Sequence, residues 1–310
     1  MPIVSEINHT TPDAIRLTGV LTQPAEFQTK TIPVIVLCPP TPWTRRELTY
    51  NPETLMLASL GYIVVELNPR LAPGFGIPIQ NPVSSEATGS TSKIQNSSTI
   101  TYIADLLTLL DELSKHFPIN PKRISLIGEK YGGYIALRAL QLHGDRFSCA
   151  VAIDAPVNPA KWLDAIKLTT GESEPLLCAP YYDTPQELKA APLIKQTRLI
   201  QKPIYVLNRY VMPREGRDGT SILQPGEDMF DDAQKLVDQQ HAYGVDSLFE
   251  PIGGRSRAIL LSDAEKFIRS VQTNARVLFG PLRVIETPPA APATPAKGAK
   301  RAKAKTQPQN

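Results

Sequence analysis

The sequence predicts an α/β fold: a mostly parallel, doubly wound sheet with helices on both faces. Three observations predict it. Short apolar runs of strand length alternate along the chain with longer stretches whose apolar residues recur at helical spacing. Most of those runs are apolar throughout, as strands buried on both faces are. A chain of 310 residues, 42% hydrophobic and 20% charged, is also long enough to cover such a sheet.

Taken in order, Ile15 to Leu21 alternates apolar with polar, the pattern of a half-buried edge strand. Val34-Ile35-Val36-Leu37 reads as a buried parallel strand. Pro52 to Leu60 reads as a short helix stopped by Gly61, and Tyr62 to Leu67 as the next strand. Pro69 to Ser98 is rich in Pro, Gly, Ser, Thr and Asn and reads as loop. Ile103, Leu106, Leu107, Leu110, Leu113 and Phe117 then share one helical face.

Ile124 to Ile127 predicts a strand, Tyr131 to Leu142 a helix and Cys149 to Ile153 another buried strand. Ile204 to Leu207 and Val245 to Phe249 predict two more, separated by a helix from about Met229 to Tyr243. A last helix is expected to start at Ser262, with Glu265 completing a capping box, and to run to about Phe279. Residues 1–13 are a lead-in, 14–286 one domain and 287–310 a tail. No internal repeat is visible.

The tail carries Lys297, Lys300, Arg301, Lys303 and Lys305 and no acid. Those five cations turn the +3 of the whole chain into −2 for the remainder. Rich in Pro, Ala and Lys, the tail has too little apolar surface to offset its ordering entropy and is expected to be disordered. It reads as a solubilising extension, or as a weak nonspecific contact with an acidic surface.

Cys38, Cys149 and Cys178 are odd in number, far apart and without metal-ligand spacing. They read as reduced thiols of a cytoplasmic protein with no cofactor or metal. No basic start leads into an apolar run at the N-terminus, and no window has the roughly 18 apolar residues of a membrane span, so no membrane partner is expected. The oligomeric state is not legible.

Gly128-Glu129-Lys130-Tyr131-Gly132-Gly133-Tyr134 lies between a predicted strand and a predicted helix with the spacing of a nucleophile elbow, G-x-Nuc-x-G. So sharp a turn forces its central residue towards positive φ and leaves no room for neighbouring side chains. Preceded by Pro121-Lys122-Arg123-Ile124, this block resembles the P-x-R-I…G-x-S-Y-G-G-Y of the prolyl oligopeptidase (S9) family. Leu57-Ala58-Ser59-Leu60-Gly61-Tyr62 and Asn68-Pro69-Arg70…Gly74-Phe75-Gly76 resemble its L-A-S-x-G-Y…N-x-R-G…G-Y-G segment. The resemblance runs from about Ile15 to Phe279 and implies an α/β-hydrolase fold. It includes no counterpart of the family's β-propeller.

The departures from the family pattern fall on the chemistry. Lys130 stands where the family has its serine, and Arg255, in Gly253-Gly254-Arg255-Ser256, where it has its histidine. The oxyanion loop, H-G-G-P in many relatives, reads Pro39-Pro40-Thr41-Pro42, whose prolines have no N–H to donate. The loop expected to supply the acid has no carboxylate until Glu215 and Asp218, of which Asp218 is the candidate. Of His9, His116, His143 and His241, only His241 comes late enough to serve as the base, and it belongs to a helix C-terminus.

The resemblance thus implies a serine-peptidase ancestry, and the substitutions imply a non-catalytic relative that binds a ligand or partner. Lys130, Tyr131, Arg255 and Thr41 are the candidate binding residues. Lys130 and Arg255 are expected to make a cationic pocket for a small anion. The alternative is an active hydrolase with a displaced triad, or with Lys130 as an amine nucleophile above a helix N-terminus.

Overall fold

A computed structural model describes residues 1–27, 30–70, 72–74, 98–161, 163, 192–209, 214–215, 221–222 and 227–274. Eight strands form one sheet: β1 (Ile3–Thr10), β2 (Arg16–Gln23), β3 (Ile32–Cys38), β4 (Ile63–Leu67), β5 (Ile119–Glu129), β6 (Cys149–Ile153), β7 (Ile204–Asn208) and β8 (Leu248–Pro251). Their spatial order is β1-β2-β4-β3-β5-β6-β7-β8. The β1/β2 and β2/β4 pairs are antiparallel and the others parallel. This is the expected α/β-hydrolase architecture.

Among the described residues, five helices of eight residues or more flank the sheet: α1 (Pro52–Ser59), α2 (Ser98–His116), α3 (Tyr131–His143), α4 (Glu227–Ala242) and α5 (Arg257–Thr273). Successive strand residues face opposite ways, and both sets are buried. Val34, Val36, Val65, Leu126, Ala152 and Val206 join one core with the apolar faces of α2, α3 and α4. The alternate residues Ile35, Val64, Val151 and Tyr205 are equally buried. On their side Tyr205 packs on Phe267 of α5, with ring centroids 5.4 Å apart.

Four expectations are corrected. The strand at Ile15 to Leu21 is not the edge: Ile3–Thr10, within the expected lead-in, takes that place and leaves β2 in the sheet interior between β1 and β4. The sequence hides β1 because most of its residues are exposed and one of its two buried positions is His9. Strand β5 begins at Ile119, where its backbone already pairs with Ile32 before a register shift. Strand β8 begins at Leu248 rather than Val245.

Helix α5 starts at Arg257, not Ser262, because Ser256 takes the N-cap, its side chain accepting from the amide of Ile259. Glu265 makes no cap. It is buried in the helix interior, where it accepts from the Tyr62 hydroxyl at 3.1 Å and pairs with Arg269. The tail, Asp218, Cys178 and residues 75–97 of the expected loop lie outside the described residues.

Candidate functional site

The carboxyl ends of β3, β5, β6, β7 and β8 lie along one edge of the sheet, where open α/β sheets place their ligands. The elbow is formed. β5 ends at Glu129, α3 begins at Tyr131, and Lys130 between them has φ +53° and ψ −119°. A Cβ on Gly128 would lie 2.0 Å from the carbonyl oxygen of Gly132. One on Gly132 would lie 2.6 Å from that of Cys38 and 2.7 Å from that of Pro39. The obstacles are backbone, so these glycines follow from close approach. The Lys130 amide donates to the Ile153 carbonyl at 2.8 Å, which ties the elbow to the end of β6. The Lys130 side chain is exposed and makes no cap bond to α3.

Arg255 stands on the loop after β8, behind Gly253 and Gly254, which have φ of +48° and +58°. Its guanidinium folds back onto its own surroundings. Nη2 donates to Glu250 and to the Pro251 carbonyl, both at 2.8 Å. Nη1 donates to Asp263 at 3.1 Å, and Nε to the Ile252 carbonyl at 3.2 Å. Glu250 also accepts from the Tyr205 hydroxyl at 2.9 Å. Arg255 thus anchors a loop.

At the end of β7, Arg209 pairs through Nε with Asp154 at 2.9 Å. Its amide donates to the same carboxylate, also at 2.9 Å. Asp154, Arg209 and Arg257 are site residues that the sequence did not single out. Asp154 follows β6, has φ +48°, and burial raises its pKa despite Arg209. Its only sequence signal is an acid directly after a buried strand. Arg257, at the start of α5, pairs with both Glu53 of α1 and Glu129 of β5.

A cavity of about 450 Å³ opens among these groups, with Arg209, Arg255, Arg257 and Glu129 on its walls. Ile153, Ile252 and Leu260 supply its apolar surface. Of the four candidate binding residues, only Arg255 lines it. Tyr131 is 2% exposed and packs in the core beneath the elbow. Thr41 shares a hydroxyl–hydroxyl bond with Thr44 at 2.7 Å. Lys130 is not on the wall that Arg255 lines.

Lys130 and Arg255 therefore do not line one cavity. Among the described residues, the three arginines of the cavity pair with five carboxylates, Glu53, Glu129, Asp154, Glu250 and Asp263.

Among the described residues, a hydroxyl–imidazole–carboxylate series lies at the far edge of the sheet. His9 of β1 contacts Thr108 Oγ1 through Nε2 at 2.8 Å and Glu112 through Nδ1 at 2.5 Å. The Thr108 hydroxyl donates its own proton to the Asp105 carbonyl at 2.8 Å, so it accepts from the ring and is no activated nucleophile. The series fastens β1 to α2. His241 Nε2 meets the Ser247 carbonyl at 2.6 Å, tying the end of α4 to the chain ahead of β8. Among the described residues no cluster of His, Cys, Asp and Glu could hold a metal, and no helix is long and apolar enough to cross a membrane.

Residues 48–187 match the model of the prolyl oligopeptidase family. Over 135 residues the chain is 32% identical to the uncharacterised peptidase YuxL of Bacillus subtilis, covering 43% of this chain and 19% of that one. Over 127 residues it is 29% identical to dipeptidyl aminopeptidase BIII of Pseudoxanthomonas mexicana, covering 41% and 17%. The match takes in about a fifth of each relative's length.

Among solved structures, the acylaminoacyl peptidase of Pyrococcus horikoshii superimposes with a TM-score of 0.59 at 17% identity, over 88% of this chain and 41% of that one. A puromycin-hydrolysing peptidase of Mycobacterium tuberculosis does so with a TM-score of 0.64 at 13% identity, over 88% and 39%. At such identities the structural likeness is one of fold. The elbow lies inside the matched residues 48–187, and Arg255 lies beyond them.

Proposed function

We propose, from the match of residues 48–187 to the prolyl oligopeptidase family model and from the α/β-hydrolase scaffold, that the chain binds a ligand or partner rather than hydrolysing one by serine chemistry. One observation carries the reading. The elbow keeps its strained geometry but presents Lys130, while the arginine in the place of the base is held by Glu250 and Asp263. A nucleophile needs a base within hydrogen-bond reach. Among the described residues, His9 and His241 make their bonds away from the elbow.

The ligand proposed is a small anion with an apolar part. Ile153, Ile252 and Leu260 would take the apolar part. The anion would displace an internal carboxylate from an arginine, most readily at Arg209, whose side chain is 64% exposed. That competition would weaken the binding. We place the chain in the cytoplasm, on the strength of the buried free thiols of Cys38 and Cys149.

A fluorophosphonate probe and a panel of aminoacyl and short acyl esters test the reading. We expect no labelling and no turnover, from the wild type or from Lys130→Ser, since that substitution restores no base. The second reading, a hydrolase with a displaced triad or a Lys130-based mechanism, is favoured by the retained elbow. Labelling, or ester turnover abolished by Lys130→Ala, would establish it and sink the first.

A further inference from the structure

Strand β1 is an outer edge of the sheet, and two bonds fix which of its backbone groups face outward. The Thr11 amide donates to the Ile15 carbonyl at 2.9 Å, and the Asn68 amide to the Thr18 carbonyl at 2.9 Å. In a strand, the N–H and C=O of one residue point to one side and those of the next residue to the other. Thr18 therefore faces β4, Thr11 faces β2, and in the β1/β2 register Ile3, Ser5, Ile7 and His9 bond to β2. The N–H and C=O groups of Val4, Glu6, Asn8 and Thr10 point out of the sheet. Among the described residues no strand pairs with them.

Natural edges are blunted by proline, lysine, a bulge or a covering segment. Over its eight residues β1 keeps unbroken register with β2 and holds no proline or lysine. Its apolar Ile3 and Val4 are 48% and 39% exposed.

The edge is complementary to itself. Antiparallel pairing about a two-fold axis at Ile7 sets Val4 opposite Thr10 of a second copy and Glu6 opposite its Asn8, so that every outward residue of both chains is used. Neighbouring registers do worse. An axis at Glu6 brings two Glu6 carboxylates face to face and calls on Pro2, which has no N–H; an axis at Asn8 calls on Pro12. An axis between residues would set outward groups against inward ones.

The side chains agree with the Ile7 axis. Val4, Glu6, Asn8 and Thr10 lie on the exposed face of β1. Arg16 of β2 reaches across that face and donates from Nη2 to Asn8 Oδ1 at 2.9 Å. Glu6 of the second copy would arrive beside Asn8, and so within reach of Arg16, once on each side of the axis. Opposite charges then meet where a one-residue shift would set like charges together.

We propose that β1 joins two copies of this chain into one continuous sheet about a two-fold axis at Ile7. The inference is independent of the ligand and of whether the elbow is catalytic.

An interface made by two strands is small, below about 1,200 Å², and its association is correspondingly weak. Sedimentation equilibrium of the full chain at about 200 μM should nevertheless show a species of twice 34.0 kDa. Asn8→Pro removes an outward N–H and no bond to β2, so it should give a folded monomer. Glu6→Arg should weaken association about tenfold by setting cations together, and adding Arg16→Glu should recover it. A wild-type monomer at that concentration overturns the proposal. So does a dimer that Asn8→Pro leaves intact, since its contact would lie on another face. Should Asn8→Pro fail to fold, the charge pair decides: association unweakened by Glu6→Arg, or not recovered by adding Arg16→Glu, overturns the edge.

Discussion

Lys130 and Asp154 both hold positive φ, +53° and +48°, at the carboxyl ends of the adjoining strands β5 and β6. They are joined through the bond from the Lys130 amide to the Ile153 carbonyl at 2.8 Å. Neither is glycine, so each stores roughly 1–3 kcal/mol of backbone strain. At Lys130 the cost belongs to the Cβ, since the side chain beyond it is exposed. Lys130→Gly should therefore stabilise the protein by about 1 kcal/mol, after allowing for the extra freedom glycine gives the unfolded chain. Lys130→Ala keeps the Cβ and should change stability by less than about 0.5 kcal/mol. Urea midpoints at constant m would show it, and a less stable Lys130→Gly would mean that the corner carries no such strain.

The corner's tightness has its own test. In Gly132→Ala the new methyl would lie 2.6 Å and 2.7 Å from the carbonyl oxygens of Cys38 and Pro39. Both belong to main chain at the end of β3, which cannot give way as a flexible side chain would. The cost should reach about 3 kcal/mol, the upper part of the overpacking range. A wild-type urea midpoint in Gly132→Ala would mean that α3 can shift off β3.

Much of this was legible from sequence, and the illegible parts share a cause. The strands β3, β4, β6 and β7 announced themselves because burial on both faces leaves them almost wholly apolar. The elbow was legible because close backbone approach admits only glycine at Gly128 and Gly132. Strand β1 was not, since the burial of His9 depends on Glu112 and Thr108, which are about a hundred residues away. The start of α5 was misplaced because Ser262 and Glu265 imitate a capping box, whereas Glu265 is spent on Tyr62 and Arg269. At the site, the sequence put Lys130 and Arg255 in the right loops. It could not tell that Arg255 is taken up by Glu250 and Asp263, or that Asp154 reaches Arg209. Pairings across strands depend on register, which local pattern does not encode.

Arg70 makes a pH prediction. Its guanidinium bridges Asp13, at 2.6 Å and 3.0 Å, and Asp105, at 2.7 Å and 2.8 Å. The two acids move in opposite directions. The bond from Arg70 lowers the more exposed Asp13 from 3.8 to about 2, whereas burial raises Asp105 in spite of Arg70. A carboxyl whose folded pKa is depressed contributes stability above its unfolded value and loses it as pH falls. For Asp13 that window runs from 3.8 down to about 2. Urea midpoints measured from pH 4.5 to 2 should fall less steeply in Asp13→Asn than in the wild type. Parallel curves would mean that the pair is open in solution.

Arg255 decides between an anchor and a ligand-binding cation. Its side chain is 27% exposed, and the carboxylates it holds, Glu250 and Asp263, are each 17% exposed. Removing the guanidinium would leave Glu250 with Tyr205 as its donor and Asp263 with Lys266, at 3.3 Å, so that Glu250 is the carboxylate left without a cation. The cost lies between that of a surface pair, roughly 0–1 kcal/mol, and a buried one, roughly 3–5 kcal/mol. Arg255→Ala should therefore destabilise the protein by about 2 kcal/mol. Adding Glu250→Gln should recover part of that loss, because it deletes the charge left without a cation. An arginine held ready for a ligand would behave differently: Arg255→Ala would leave the urea midpoint of the unliganded protein unchanged, and Glu250→Gln would have nothing to repair.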